Sequence, residues 1–140
     1  MTDFTLDIDS DGIALITWDM PGRSMNVITM DAIEELSKLV KQVASDKAIK
    51  GAVITSGKEA FCGGADLAML EGMGAAYADM VRRQGEEAAA KYVFEESRKL
   101  SLLYRRLETC GKPFVCALNF SIFALASPTK AQLGNRATWS

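Results

Sequence analysis

Histidine is absent from this 140-residue chain. That removes every catalytic triad, metal site and proton shuttle built on imidazole, and leaves carboxylates, Lys, Tyr, Cys and backbone amides as the chemical toolkit. Cysteine is scarce: Cys62, Cys110 and Cys116 form no C-x-x-C pair and leave an odd thiol, so neither a zinc ribbon nor a disulfide framework is indicated. A reducing, cytoplasmic setting is the simplest expectation. An excess of charge of either sign is missing too. With 16 basic and 18 acidic residues the formal charge is −2, and no long basic block offers a footprint for nucleic acid or an anionic membrane surface. The most apolar stretch, Phe114 to Ala126, is interrupted by Asn119 and Ser121 and falls short of the roughly 18 to 20 residues of a membrane span. No transmembrane segment is expected. Nor does the N-terminus, with Asp3, Asp7, Asp9 and Asp11 and no apolar core, suit a signal or transit peptide, so mature protein is expected.

One absence bears directly on chemistry. No Asp or Glu follows Glu108, so the last 32 residues, Thr109 to Ser140, hold none of the 18 carboxylates.

What is present suits one domain, with 49% hydrophobic residues. Phe4, Leu6 and Ile8 alternate with polar residues, Asp11 and Gly12 supply a turn, and Ile13 to Trp18 resumes β character, which predicts an antiparallel hairpin. Pro21 and Gly22 end it. From a Thr29 N-cap, Ile33, Leu36, Val40 and Val43 step by three and four, which predicts a helix to about Ser45. The β-branched run Ala52 to Thr55 reads as a buried strand. Gly57 to Gly64 is a loop, and Ala65 to Met73 offers a helical turn or two before Gly72 and Gly74 break it. A longer helix is expected across Glu86 to Leu107, its apolar face formed by Val93, Leu100, Tyr104 and Leu107 with Ser97 as a flaw in the stripe. Glu86-Glu87 and Glu95-Glu96 lie beside Lys91, Arg98 and Lys99 on a solvated face. Pro113 opens a further strand, Phe114 to Leu118. The alternation of strand and helix predicts an α/β layer structure, without internal repeats or linkers.

The segment with the most chemical content is Phe61-Cys62-Gly63-Gly64-Ala65-Asp66-Leu67, between a buried strand and a helix. Two glycines permit a tight turn and close approach of a ligand to the backbone, and the first N–H groups of a helix offer free donors to an oxygen. The plain alternative is that Gly-Gly only turns the chain and Asp66 only caps the helix. There is no Lys or Ser/Thr in the places a phosphate-binding P-loop needs, and no G-x-G-x-x-G. Cys62, beside a helix N-terminus, is not nominated as a nucleophile.

That segment resembles the first oxyanion-hole loop of the crotonases, the enoyl-CoA hydratase/isomerase superfamily, and Pro21 to Asn26 resembles their Pro-x-x-x-x-Asn stretch. The likeness runs along the hairpin, the first helix, Ala52 to Thr55 and Gly111 to Asn119, covering roughly residues 4–119. Met20-Pro21-Gly22-Arg23-Ser24-Met25-Asn26 is more similar to the N-terminal hydratase module of multifunctional fatty-acid β-oxidation proteins than to single-function hydratases. The resemblance implies a crotonase-like (ClpP/crotonase) α/β fold, of which this is the N-terminal portion: residues 1–119 as a partial hydratase/isomerase domain and 120–140 as an aberrant tail.

By the same resemblance, the substrate is a coenzyme A thioester. The N–H of Ala65 is one of two oxyanion donors, stabilising the enolate that forms when water adds to an enoyl thioester or its double bond moves. Gly63, Ala65, Asp66 and Leu67 receive coenzyme A, and Ser24 and Met25 line the pantetheine, although Met25 serves equally well as core. The family's second donor and two glutamates are expected beyond Asn119, in an Asn-Gly, a glycine cluster with Glu, and a Pro-Glu step. Here Asn119 to Ala126 has neither glycine nor acid, and Asn135-Arg136-Ala137, after Lys130 to Gly134, stands in place of Pro-Glu. No dinucleotide-binding unit follows, so no NAD chemistry and no covalently held cofactor is expected. Three readings stay open: a hydratase or isomerase drawing its acids from Asp66, Glu71 or a partner chain; a non-catalytic acyl-CoA binding or assembly module; and an inactive truncated product. Self-association through the exposed apolar C-terminal segment is expected of a partial domain.

Overall fold

Alternating apolar residues make the first hairpin of the computed structural model, which describes residues 2–118. Strand β1 (Phe4–Ile8) pairs antiparallel with β2 (Ile13–Trp18), with Phe4 opposite Trp18 and Ile8 opposite Ala14. Asp9 organises the turn, its Oδ1 accepting from the N–H groups of Asp11 and Ile13 at 3.0 and 2.8 Å. The period of two puts Ala14, Ile16 and Trp18 into the interior and leaves Leu15 exposed on the other face.

Helix α1 (Met30–Ser45) starts where expected: the Thr29 side chain accepts from Ala32 N–H at 3.1 Å, and the helix buries Ala32, Ile33, Val40 and Val43. Its Glu35 carboxylate receives the N–H groups of Asp3 and Phe4, which ties the start of β1 to the helix. The last turn of α1 carries no basic residue of its own. Lys112, from the far end of the described chain, reaches back and donates to the carbonyls of Val43 (2.6 Å) and Asp46, placing positive charge where the helix dipole is negative.

Strand β3 (Gly51–Ser56) lies parallel to β2, and β4 (Phe114–Cys116) lies parallel to β3, giving the order β1-β2-β3-β4. Both parallel steps are crossovers, the first through α1 and the second through two helices. Ala52 and Ile54 join Phe4, Ile16, Trp18 and Val43 in the main core between sheet and helix.

Three expectations need correction. The helix after Asp66 does not break: α2 runs continuously over Leu67–Gln84, through Gly72 and Gly74. A helical glycine costs about 1 kcal/mol relative to alanine but removes no hydrogen bond, and α2 is capped by Asp66 and packs against α3 (Glu86–Thr109) after a break at Gly85. On α3 the buried residues are Ala89 and Leu103, whereas Tyr104 is 55% exposed and Ser97 lies off the stripe in solvent. Leu100 and Leu107 pack against the core as expected, while Leu103, which meets Ile33 and Val40, takes the place expected of Tyr104 because α3 packs on α1. Finally, β4 closes at Cys116, short of Leu118. The expected solvated face of α3 holds, with Arg98 pairing to Glu95 and Lys99 to Glu96.

Candidate functional site

Asn26 organises the approach to the glycine turn. It is fully buried, accepts the Met20 N–H at 3.0 Å, and donates to the Trp18 carbonyl (2.8 Å) and Ser56 Oγ (3.0 Å), with a longer contact to the Phe61 carbonyl. One side-chain amide thereby joins the ends of β2 and β3 to the loop between β3 and α2. Satisfying each of its groups is what makes its burial tolerable.

The loop then pairs with the segment after Asn26 as a short parallel ladder. Gly63 N–H donates to the Asn26 carbonyl (2.8 Å), Ile28 N–H to the Gly64 carbonyl (2.8 Å) and Asp66 N–H to the Ile28 carbonyl (2.9 Å). The Gly64 N–H is taken by Cys62 Sγ at 3.3 Å. This leaves the Ala65 N–H, which meets no acceptor among the described residues. Gly64 sits at φ +100°, which favours glycine, and a Cβ on Gly63 would displace the Met25 thioether.

Asp66 is spoken for. Its Oδ1 accepts from Met69 N–H at 2.8 Å, capping α2, and its Oδ2 accepts from Arg23 at 2.6 Å. The Met69 hydrogen bond and then the Arg23 guanidinium hold the carboxyl below its ordinary value. Its carboxylate is thus directed at the chain itself and away from a proton-transfer role. Glu71, the other acid of this stretch, is exposed on α2. Of the remaining expected residues, Met25 is half-buried against Gly63, Ser24 is exposed, and Leu67 is 75% exposed beside the turn. Gly63, Ala65, Asp66, Met25 and Leu67 are brought to one loop. The expected second donor and both glutamate positions lie outside the described residues.

Sequence reasoning missed the Arg23–Asp66 pair, which joins residues 43 positions apart, and gave Asn26 no role beyond its motif. The signal for Asn26 was an uncharged polar residue directly before the apolar pair Val27-Ile28. Missed as well was an apolar cavity of about 160 Å³ between α1, α3 and the sheet.

The enoyl-CoA hydratase/isomerase family model matches residues 9–124. The chain belongs to that family. Among curated relatives of this hydratase/isomerase chain, the fatty acid oxidation complex subunit alpha of Idiomarina loihiensis is 34% identical over 118 residues, 83% of this chain and 14% of that protein. The same subunit of Shewanella amazonensis is 38% identical over 90 residues, 63% of this chain and 13% of that one. The chain therefore spans about one seventh of the length of these relatives. A solved enoyl-CoA hydratase/isomerase from Mycobacterium paratuberculosis superposes with a TM-score of 0.63 at 25% identity, covering 85% of this chain and 42% of that one. A Legionella pneumophila crotonase gives 0.67 at 19%, covering 85% and 40%. The described sheet and helices are thus part of a crotonase fold. Among the described residues no helix is long and apolar enough to cross a membrane.

Proposed function

We propose that the Cys62–Leu67 turn receives a coenzyme A thioester, with the thioester oxygen on the Ala65 N–H. The observation that carries this reading is the ladder from Asn26 and Ile28, which takes the Gly63 and Asp66 amides and, with Cys62 Sγ holding the Gly64 amide, spares the one at Ala65. A fixed, unpaired donor beside a helix N-terminus suits an oxygen that gains negative charge as an enolate forms. Gly63, Asp66 and Leu67 place backbone around the coenzyme, and Ser24 and Met25 flank it. The family membership and the fatty acid oxidation relatives support 2-enoyl thioesters as the substrate class.

The 140 residues taken alone supply half of such a site. No carboxylate follows Glu108, and among the described residues Asp66, the acid of the turn, is committed to its cap and to Arg23, so the acid/base groups that activate water, which contribute roughly 10²- to 10⁴-fold each, are not supplied at the turn. This chain therefore binds acyl-CoA without hydrating it at the rate of a complete family member.

Two measurements test this. In calorimetry, Ala65→Pro removes the N–H and weakens crotonyl-CoA binding more than coenzyme A binding; equal losses for both ligands take Ala65 out of the oxyanion role. In an absorbance assay of crotonyl-CoA hydration, the purified chain turns over far below a complete hydratase. Comparable turnover, abolished by Ala65→Pro, makes it a working enzyme instead.

A further inference from the structure

The donor at Ala65 is only as well aimed as the peptide planes around it. In the plane joining Gly64 to Ala65, the Gly64 C=O and the Ala65 N–H point in opposite directions, so the Ile28 N–H that holds the Gly64 carbonyl at 2.8 Å also sets the direction of the free amide. Two neighbouring planes are held by the same ladder: Cys62–Gly63 through Gly63 N–H on the Asn26 carbonyl, and Ala65–Asp66 through Asp66 N–H on the Ile28 carbonyl. The plane between Gly63 and Gly64 has no ladder bond among the described residues. Its N–H rests on Cys62 Sγ at 3.3 Å, and the same sulfur lies 3.8 Å from the Gly64 carbonyl oxygen. That plane joins two glycines, the second at φ +100°. Glycine has the widest backbone freedom, so this is where the turn would rotate if it were not held.

We infer that Cys62 is a positioning residue for thioester recognition: its sulfur occupies the Gly64 N–H, which fixes the glycine pair and leaves the thioester oxygen a single amide to bind, that of Ala65. The inference rests on the thioester reading of the turn. It gives the thiol a task as an acceptor and none as a nucleophile. Without the sulfur, two successive N–H groups compete for one oxygen, and the plane that separates them is free to turn. Sulfur is a weak acceptor, so the effect is modest in size and specific in kind: it falls on the thioester and spares the rest of the coenzyme. Cys62 also lines the apolar cavity, and a packing role there is separable by chemistry. Serine keeps an acceptor at the same place but sets a hydroxyl against the apolar wall, whereas alanine keeps the wall apolar and removes the acceptor.

Calorimetry with crotonyl-CoA and with coenzyme A gives the preference for the thioester in the unaltered chain, in Cys62→Ala and in Cys62→Ser. Cys62→Ala is expected to reduce that preference about threefold, the lower end of what one neutral hydrogen bond contributes, and Cys62→Ser to restore it. Amide hydrogen exchange by NMR, without ligand and corrected for intrinsic rates, is expected to be slower at Gly64 than at Ala65 in the unaltered chain, with the difference lost in Cys62→Ala. Should that variant fail to fold by circular dichroism, the exchange comparison on the unaltered chain still decides. An unchanged preference in Cys62→Ala, no rescue by Cys62→Ser, or equal exchange at the two amides overturns the role of Cys62 and leaves the thioester reading standing. An unaltered chain that binds coenzyme A as tightly as crotonyl-CoA overturns both.

Discussion

Asn26 is fully buried, and its side chain is matched on both sides: one acceptor used by Met20, two donor contacts to Trp18 and Ser56. Truncation leaves the buried Met20 N–H without its acceptor, a desolvation cost of its own, and removes one contact each from the Trp18 carbonyl, which also accepts from Gly57 N–H, and from Ser56 Oγ, which also bonds Ala60 and Lys58. Asn26→Ala is expected to cost about 1–3 kcal/mol, seen as a lower urea midpoint. A second residue-level expectation concerns pH. Asp66 titrates below 3.8 in the folded chain because Met69 N–H and Arg23 favour its ionised form. Its contribution is therefore complete above pH 3.8 and is lost as pH falls through the depressed folded value. Asp3 behaves oppositely, since burial and the nearby Glu35 and Asp31 raise it; its penalty is present at neutral pH and vanishes below 3.8. Asp66→Asn, which can still cap, should lower the urea midpoint at pH 7 and leave it unchanged well below pH 3.8. Asp3→Asn should raise the midpoint at pH 7 and match the parent at the acid end.

At the scale of elements, α2 is the least secured part of the described chain: it buries no residue and exposes Leu67, Leu70 and Tyr77. Its two interior glycines face open space, since a methyl group added at Gly72 or Gly74 would meet no atom within 4 Å. Gly72→Ala and Gly74→Ala should each stabilise the helix by about 0.8–1 kcal/mol, measured by thermal melting of the single and double variants. No gain would mean that α2 needs the glycines for a contact beyond those described. These same residues explain where the sequence was legible and where it was not. The hairpin, α1 and β3 could be read because burial on one side writes a period of two or of about 3.6 into Ala14-Ile16-Trp18 and Ile33-Val40-Val43. Helix α2, with nothing buried, carries only the weak local signal of Gly72 and Gly74, which points the wrong way. In the site, the Gly63-Gly64 turn announces itself, whereas the pairing of Ile28 with Gly64 and Asp66 leaves no local trace. The apolar cavity depends on three elements meeting and has no linear signature.

Across the whole molecule, the sheet is covered on one face by α1 and shows its other face as a row, Leu15, Val53 and Val115, set side by side by the strand register. Leu15 is 41% exposed, Val115 59% and the following Leu118 51%. A continuous apolar row of this kind favours association. Sedimentation should show concentration-dependent self-association, reduced by Val115→Lys; a single monomeric species at all concentrations would contradict it.

The ladder between Asn26–Ile28 and Gly63–Asp66 has one more consequence, for mutational drift. The amide it leaves free is main chain, and every residue except proline carries such a group. Position 65 can therefore change its side chain over long spans of descent while the donor stays in place. What holds this free amide in place is its neighbours: Gly64, whose φ of +100° bends the turn, and the buried Asn26, which anchors the segment opposite.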